Sequence, residues 1–211
     1  MSQNTDFDSE IDNLPNRLTL FRILLVPIII CSLSAGLFQH NAFVREYWTI
    51  LEWIAGITFT IAAITDFIDG YIARKRNIVT VFGSFLDPIA DKFLTVSALI
   101  MLQALGRVHA IIVIILVLRE IYITSLRLLA TTEGLSVPVN SFGKWKTVTQ
   151  MIGIPLMMIS TDHWGIPFLT SGKMFIYLAS ILSLYSSVVY SVGLLKKMKL
   201  KRIQKREMKT S

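Results

Sequence analysis

Six apolar stretches divide this chain, at roughly residues 17–38, 49–72, 84–105, 109–130, 145–162 and 172–195. A helix rises about 1.5 Å per residue and a bilayer core is about 30 Å thick, so about 20 apolar residues make one crossing. Polar residues collect in the short segments between the stretches, leaving no length for a separate soluble domain. The pattern predicts an all-α, polytopic membrane protein with six transmembrane helices. Residues 1–13 read as an acidic N-terminal segment, 14–195 as the six-helix domain and 196–211 as a basic tail.

Charge orients this arrangement. Arg45, Arg107 and Lys173 fall on one side of the expected bilayer. Arg17, Arg22, Arg74, Lys75, Arg76, Lys92, Arg127, Lys144, Lys146 and the lysine- and arginine-rich tail fall on or near the other. Basic residues stay on the cytoplasmic side, so both termini are expected there. The net charge of +7 calls for no nucleic acid, because a polybasic tail beside a membrane fits anionic lipid. The flank before the first stretch (Asp6, Asp8, Glu10, Asp12) is acidic where a cleaved signal peptide would be basic. Cys31 is the one cysteine, so it forms no intrachain disulfide and is expected to be a small packing residue. Trp48, Trp53 and Trp164 are expected as interfacial anchors.

Against this apolar background stand Asp66, Asp69, Asp87 and Asp91, at the inner ends of the second and third stretches. Carboxylates beside a bilayer core are costly and mark function. Asp66 and Asp69 are one helical turn apart, as are Asp87 and Asp91. A tight antiparallel pairing of the two stretches brings all four to one depth. Asp87-Pro88 is itself expected to start the third helix, with aspartate capping and proline in the first turn. Four clustered carboxylates repel unless a cation sits among them, and a divalent ion such as Mg²⁺ takes such oxygens. Gly70, Ala73 and Gly83 keep the backbone bare for a ligand, and Arg74 offers a planar fork for phosphate. Together these describe a metal-dependent phosphate site. A divalent-cation transporter also explains the carboxylates, but not the small residues or Arg74.

Eight positions (Asp66, Asp69, Gly70, Ala73, Arg74, Gly83, Asp87 and Asp91) fall within a 26-residue window at the spacing of the CDP-alcohol phosphatidyltransferase signature. The chain resembles that family at every one of them. The resemblance implies a six-helix enzyme with two divalent metals, Mg²⁺ or Mn²⁺, that joins a CDP-linked donor to an alcohol and releases CMP. It implies Asp66, Asp69, Asp87 and Asp91 as metal ligands, with Asp91 also as general base. It assigns Asp66, Gly70, Ala73, Arg74 and Gly83 to the CDP donor. It further implies a homodimer in the bacterial inner membrane, with the active site facing the cytoplasm.

The acceptor is read from three more segments: Asn13 to Thr19 with Arg22, Arg119 to Arg127, and Gly143 to Thr147. They resemble the branch of the family that takes glycerol 3-phosphate, with CDP-diacylglycerol as donor. The charges point the same way, because Arg119 and Arg127 are eight residues apart on one helix face and, with Lys144, suit an anionic phosphate. The alternative for Arg119 is an internal salt bridge to Glu120 or Glu133. Phosphatidylglycerol and inositol phosphate are the alternative acceptors within the family.

Overall fold

The computed structural model describes residues 14–38, 40–76, 81–135, 141–161 and 165–210, with the side chains of 14–16, 69–76, 81–85, 87, 141, 202 and 204–210 outside the description. Its regular elements are helices: α1 (Leu14–Ser34), a 3₁₀ turn (Ala35–Phe38), α2 (Ala42–Arg76), α3 (Val81–Ala104), α4 (Ala110–Thr132), α5 (Ser141–Met158) and α6 (Phe168–Thr210). Each apolar stretch becomes one helix, in order. Among the described residues, three segments are long and apolar enough to cross a membrane: Arg17–Phe38, Ala42–Ile68 and Phe168–Lys201. The chain is thus an all-helical membrane protein.

Helix ends differ from the hydropathy pattern where local caps decide them. α2 starts at Ala42 rather than near 49, because Asn41 Oδ1 accepts the Phe43 N–H at 3.0 Å and satisfies an otherwise orphaned donor. α4 stops where Gly134 takes a positive φ of 63°. There the Leu135 N–H bonds to Ala130 O at 2.8 Å and the Gly134 N–H to Thr131 O at 3.0 Å, which closes the last turn. α3 begins at Val81, so Pro88 lies inside it and Asp87 does not cap its start. Proline lacks the N–H that would bond four residues back, so the cost of Pro88 falls within α3 rather than at its beginning. α6 runs 43 residues without a break, about 64 Å at the standard rise, and carries the basic tail as its own continuation.

The chain groups into two compact units. The first holds α1, α2 and α3 with residues 151–173, and the second holds α4, residues 141–150 and α6 from Met174. In the first unit α1 lies against both α2 and α3, and direct α2–α3 contact among the described residues is sparse. The loop end of that pair, where tight antiparallel packing was expected, lies largely outside the described side chains.

The buried face of α1 reads Thr19, Arg22, Val26, Ile29, Leu33, a 3–4–3–4 spacing that is polar at one end and apolar at the other. On α2 the buried stripe is Glu52, Ala55, Phe59, Ala62, and its next step in the same spacing is Asp66. In the second unit Ile123, Ala130, Tyr190 and Leu194 form a core cluster, with Leu126, Leu135 and Met198 packed on it. The opposite faces carry exposed Leu24, Phe67, Ile111 and Leu118, as helices in lipid do. Cys31 is on such an exposed face and is not a packing residue of the core. Trp164 lies outside the described residues, whereas Trp48 and Trp53 pack within the first unit.

Candidate active site

The first carboxylate of the signature is held from α1. Arg22 is wholly buried, and its Nη1 forms an ion pair with Asp66 Oδ1, whose side chain is 37% exposed. A buried guanidinium needs an anionic partner, and the α1 stripe brings it to the end of the α2 stripe where Asp66 stands. In the sequence Arg22 belongs to a motif and marks one side of the bilayer, and nothing there pairs it with Asp66. On α3, Asp91 is half-buried, and its carbonyl accepts the Thr95 hydroxyl at 2.9 Å, which ties the two residues across one turn. Asp69, Gly70, Ala73 and Arg74 lie on α2 and Gly83 and Asp87 on α3, with side chains outside the described residues. No group of three metal-ligating side chains occurs among the described residues. The chemistry of the donors fits a hard cation: Asp66 and Asp91 offer carboxylate oxygens without full burial, and Asp66 already draws a positive partner.

The candidate acceptor residues belong to the second unit. Arg119 projects from α4 toward α6, where its Nε donates to Ser187 Oγ at 3.1 Å and Ser183 O at 3.3 Å and its Nη2 to Ser186 Oγ. Its Nη1 lies 3.3 Å from Glu120 Oε1, so the internal salt bridge considered from the sequence is present, with the residue next to it on the same helix. The same Glu120 oxygen also takes the buried ammonium of Lys146. Glu133 instead pairs with Lys201. Arg127 is exposed and sits 6.0 Å over the Tyr190 ring, eight residues beyond Arg119 on α4. Lys144 is exposed near the start of α5. Lys146 and Glu120 were missed as partners. Two lysines flanking Trp145 cannot both share one helix face, and that was the available signal.

A second buried ionic group lies elsewhere in the first unit. Arg107 Nη2 pairs with Glu52 Oε1, its Nη1 donates to Met157 O at 3.0 Å and to Met158 O, and its guanidinium lies 5.4 Å over the Trp48 ring. Glu52 Oε2 accepts the Ser160 N–H at 3.1 Å. A cation on the last carbonyls of α5 satisfies orphaned acceptors, so this group joins α2, the turn after α3 and the end of α5. Its bonds hold these three parts of the first unit together.

The family model for CDP-alcohol phosphatidyltransferase matches residues 12–189. The chain belongs to that family. Its relatives in the family include one from Rickettsia felis named CDP-diacylglycerol--glycerol-3-phosphate 3-phosphatidyltransferase, 36% identical across 84% of this chain and 93% of the relative. A Bacillus subtilis protein of the same name is 42% identical across 70% of this chain and 77% of its own length. An Arabidopsis thaliana protein, bearing that name with the number 2, is 36% identical across 88% of this chain and 81% of its own. The family match spans the whole signature, from Asp66 to Asp91, and also Arg22, Arg119, Arg127 and Lys144.

Proposed function

We propose that this chain transfers the phosphatidyl group of CDP-diacylglycerol to sn-glycerol 3-phosphate, giving phosphatidylglycerophosphate and CMP. The observation that carries this reading is that relatives bearing that activity in their names align over most of their own length and most of this chain. All six helices cross the membrane on this reading, with both termini and the active site on the cytoplasmic side of a bacterial inner membrane. The enzyme works there as a homodimer. The excess of lysine and arginine in the segments assigned to that side supports the orientation.

Asp66, Asp69, Asp87 and Asp91 are assigned to two divalent cations, Mg²⁺ or Mn²⁺. When bound, such ions offset charge on the donor diphosphate and polarise its phosphoryl group. Arg22 orients Asp66, and Asp66 with Gly70, Ala73, Arg74 and Gly83 seats the CDP portion. Arg119, Arg127 and Lys144 bind the phosphate of the acceptor. Asp91 takes the proton of the acceptor 1-hydroxyl as its oxygen attacks the β-phosphorus. The bond from that phosphorus to the CMP oxygen breaks, and CMP leaves with the electron pair.

The test is CMP release by purified protein given CDP-diacylglycerol and Mg²⁺, with and without glycerol 3-phosphate. Release that requires glycerol 3-phosphate and stops with a chelator is the expected result. Release with phosphatidylglycerol or inositol phosphate instead would keep the family chemistry and discard the acceptor assignment. No release with any acceptor from folded protein would favour cation transport through the aspartates.

A further inference from the structure

We infer that Ser186 and Ser187 of α6 are positioning residues that set the Arg119 guanidinium for an anionic acceptor. This rests on the reading of Arg119 as a ligand of the acceptor phosphate, and adds the device that aims it.

Ser183, Ser186 and Ser187 stand at i, i+3 and i+4, so they share one face of α6. The Ser186 and Ser187 hydroxyls both donate back to Ser183 O, at 3.1 and 2.8 Å. Their hydrogens are thereby engaged, and their oxygens face Arg119 as acceptors only. Arg119 meets them with Nη2 on Ser186 Oγ at 2.5 Å and Nε on Ser187 Oγ at 3.1 Å, while Nε also reaches Ser183 O at 3.3 Å. Nη1 is held at 3.3 Å by Glu120. The edge formed by Nε and Nη2 is thus fixed by α6, and Nη1 by a residue of its own helix.

A guanidinium has five N–H donors. The bonds among the described residues engage Nε and one hydrogen on each Nη, which leaves one N–H on Nη1 and one on Nη2. A pair of donors, one from each Nη, is what bidentate binding of an oxyanion requires. Charge agrees with this: the Arg119 guanidinium is positive, and the Glu120 carboxylate beside it is shared with Lys146. The serines are neutral, so they hold the arginine without cancelling that charge, as a second carboxylate would. Rigidifying a long, rotamer-rich side chain before the ligand arrives lowers the ordering cost of binding.

The experiment compares Ser186→Ala/Ser187→Ala with wild type in CMP release, alongside Arg119→Ala. Ser180→Ala serves as control, because that buried hydroxyl bonds to Tyr177 O and makes no bond to Arg119. The double variant is expected to raise KM for glycerol 3-phosphate roughly tenfold, with kcat and KM for CDP-diacylglycerol within about twofold of wild type. Ser186→Thr and Ser187→Thr keep the hydroxyls and should restore the wild-type KM. A lower kcat with an unchanged KM for the acceptor would overturn the proposal. If Arg119→Ala raises that KM and the double variant does not, the serine proposal fails while the acceptor reading stands. If Arg119→Ala leaves it unchanged, the acceptor reading itself fails. Should the double variant not fold, the two single alanine variants decide: a raised acceptor KM in either supports the proposal, and wild-type values in both reject it.

Discussion

Glu52 and Asp66 lie on one buried stripe of α2, fourteen residues and about 21 Å apart, and each is paired with a buried arginine from another element. Arg107 holds Glu52 and Arg22 holds Asp66. The two pairs differ in exposure. Glu52 is fully buried, and its second oxygen takes a backbone N–H, whereas the Asp66 side chain is 37% exposed. One pair therefore closes a structural joint, and the other leaves carboxylate surface open for a ligand.

Arg22→Met removes a buried cationic partner of Asp66 and leaves the carboxylate with less positive charge nearby. Because Asp66 is partly solvated, the loss is expected at about 1–3 kcal/mol, below that for a fully buried pair. Thermal unfolding in detergent with a chelator should show it as a lower Tm. Added Mg²⁺ should raise Tm more in the variant than in wild type. An unchanged Tm in chelator would mean that Arg22 does not stabilise Asp66.

Glu52→Gln leaves the Arg107 cation buried without its counter-charge. A loss of about 3–5 kcal/mol is expected, read from thermal or denaturant unfolding. CMP release per folded molecule should stay at the wild-type level, since this pair is remote from Asp66 along α2. A fall in kcat with unchanged stability would contradict the structural role.

Asp91→Asn keeps size and hydrogen bonding but cannot take a proton. Turnover should fall by at least about a hundredfold, measured as CMP release, with Tm close to wild type. Near wild-type turnover would remove Asp91 from the role of base.

Gly172→Ala tests a close approach of helices. A Cβ there would sit 2.5 Å from Met157 Cγ, 2.7 Å from Met157 N and 2.9 Å from Gly153 O. Two of these are backbone atoms, which cannot swing aside, so α5 and α6 must separate. A destabilisation of about 1–3 kcal/mol is expected in unfolding measurements. Gly56→Ala should cost less, because its nearest neighbour would be 3.5 Å away.

The sequence by itself determined the six helices, their order and the aspartate signature. Those features depend on local pattern: a bilayer requires long apolar helices, and carboxylates one turn apart share a face wherever the helix lies. The start of α2 was also local, since Asn41 is a preferred cap, but the longer apolar run beginning near 49 masked it. The pairing of charges was decided only by the tertiary structure. Arg107 meets Glu52 across 55 positions and Arg119 meets Ser186 across 67. In sequence Arg107 marked only a side of the membrane, and Glu52 carried no signal. An ion pair forms where packing brings two charges together out of water, and that follows from how α1, α2 and α3, and separately α4 and α6, present their buried stripes to one another.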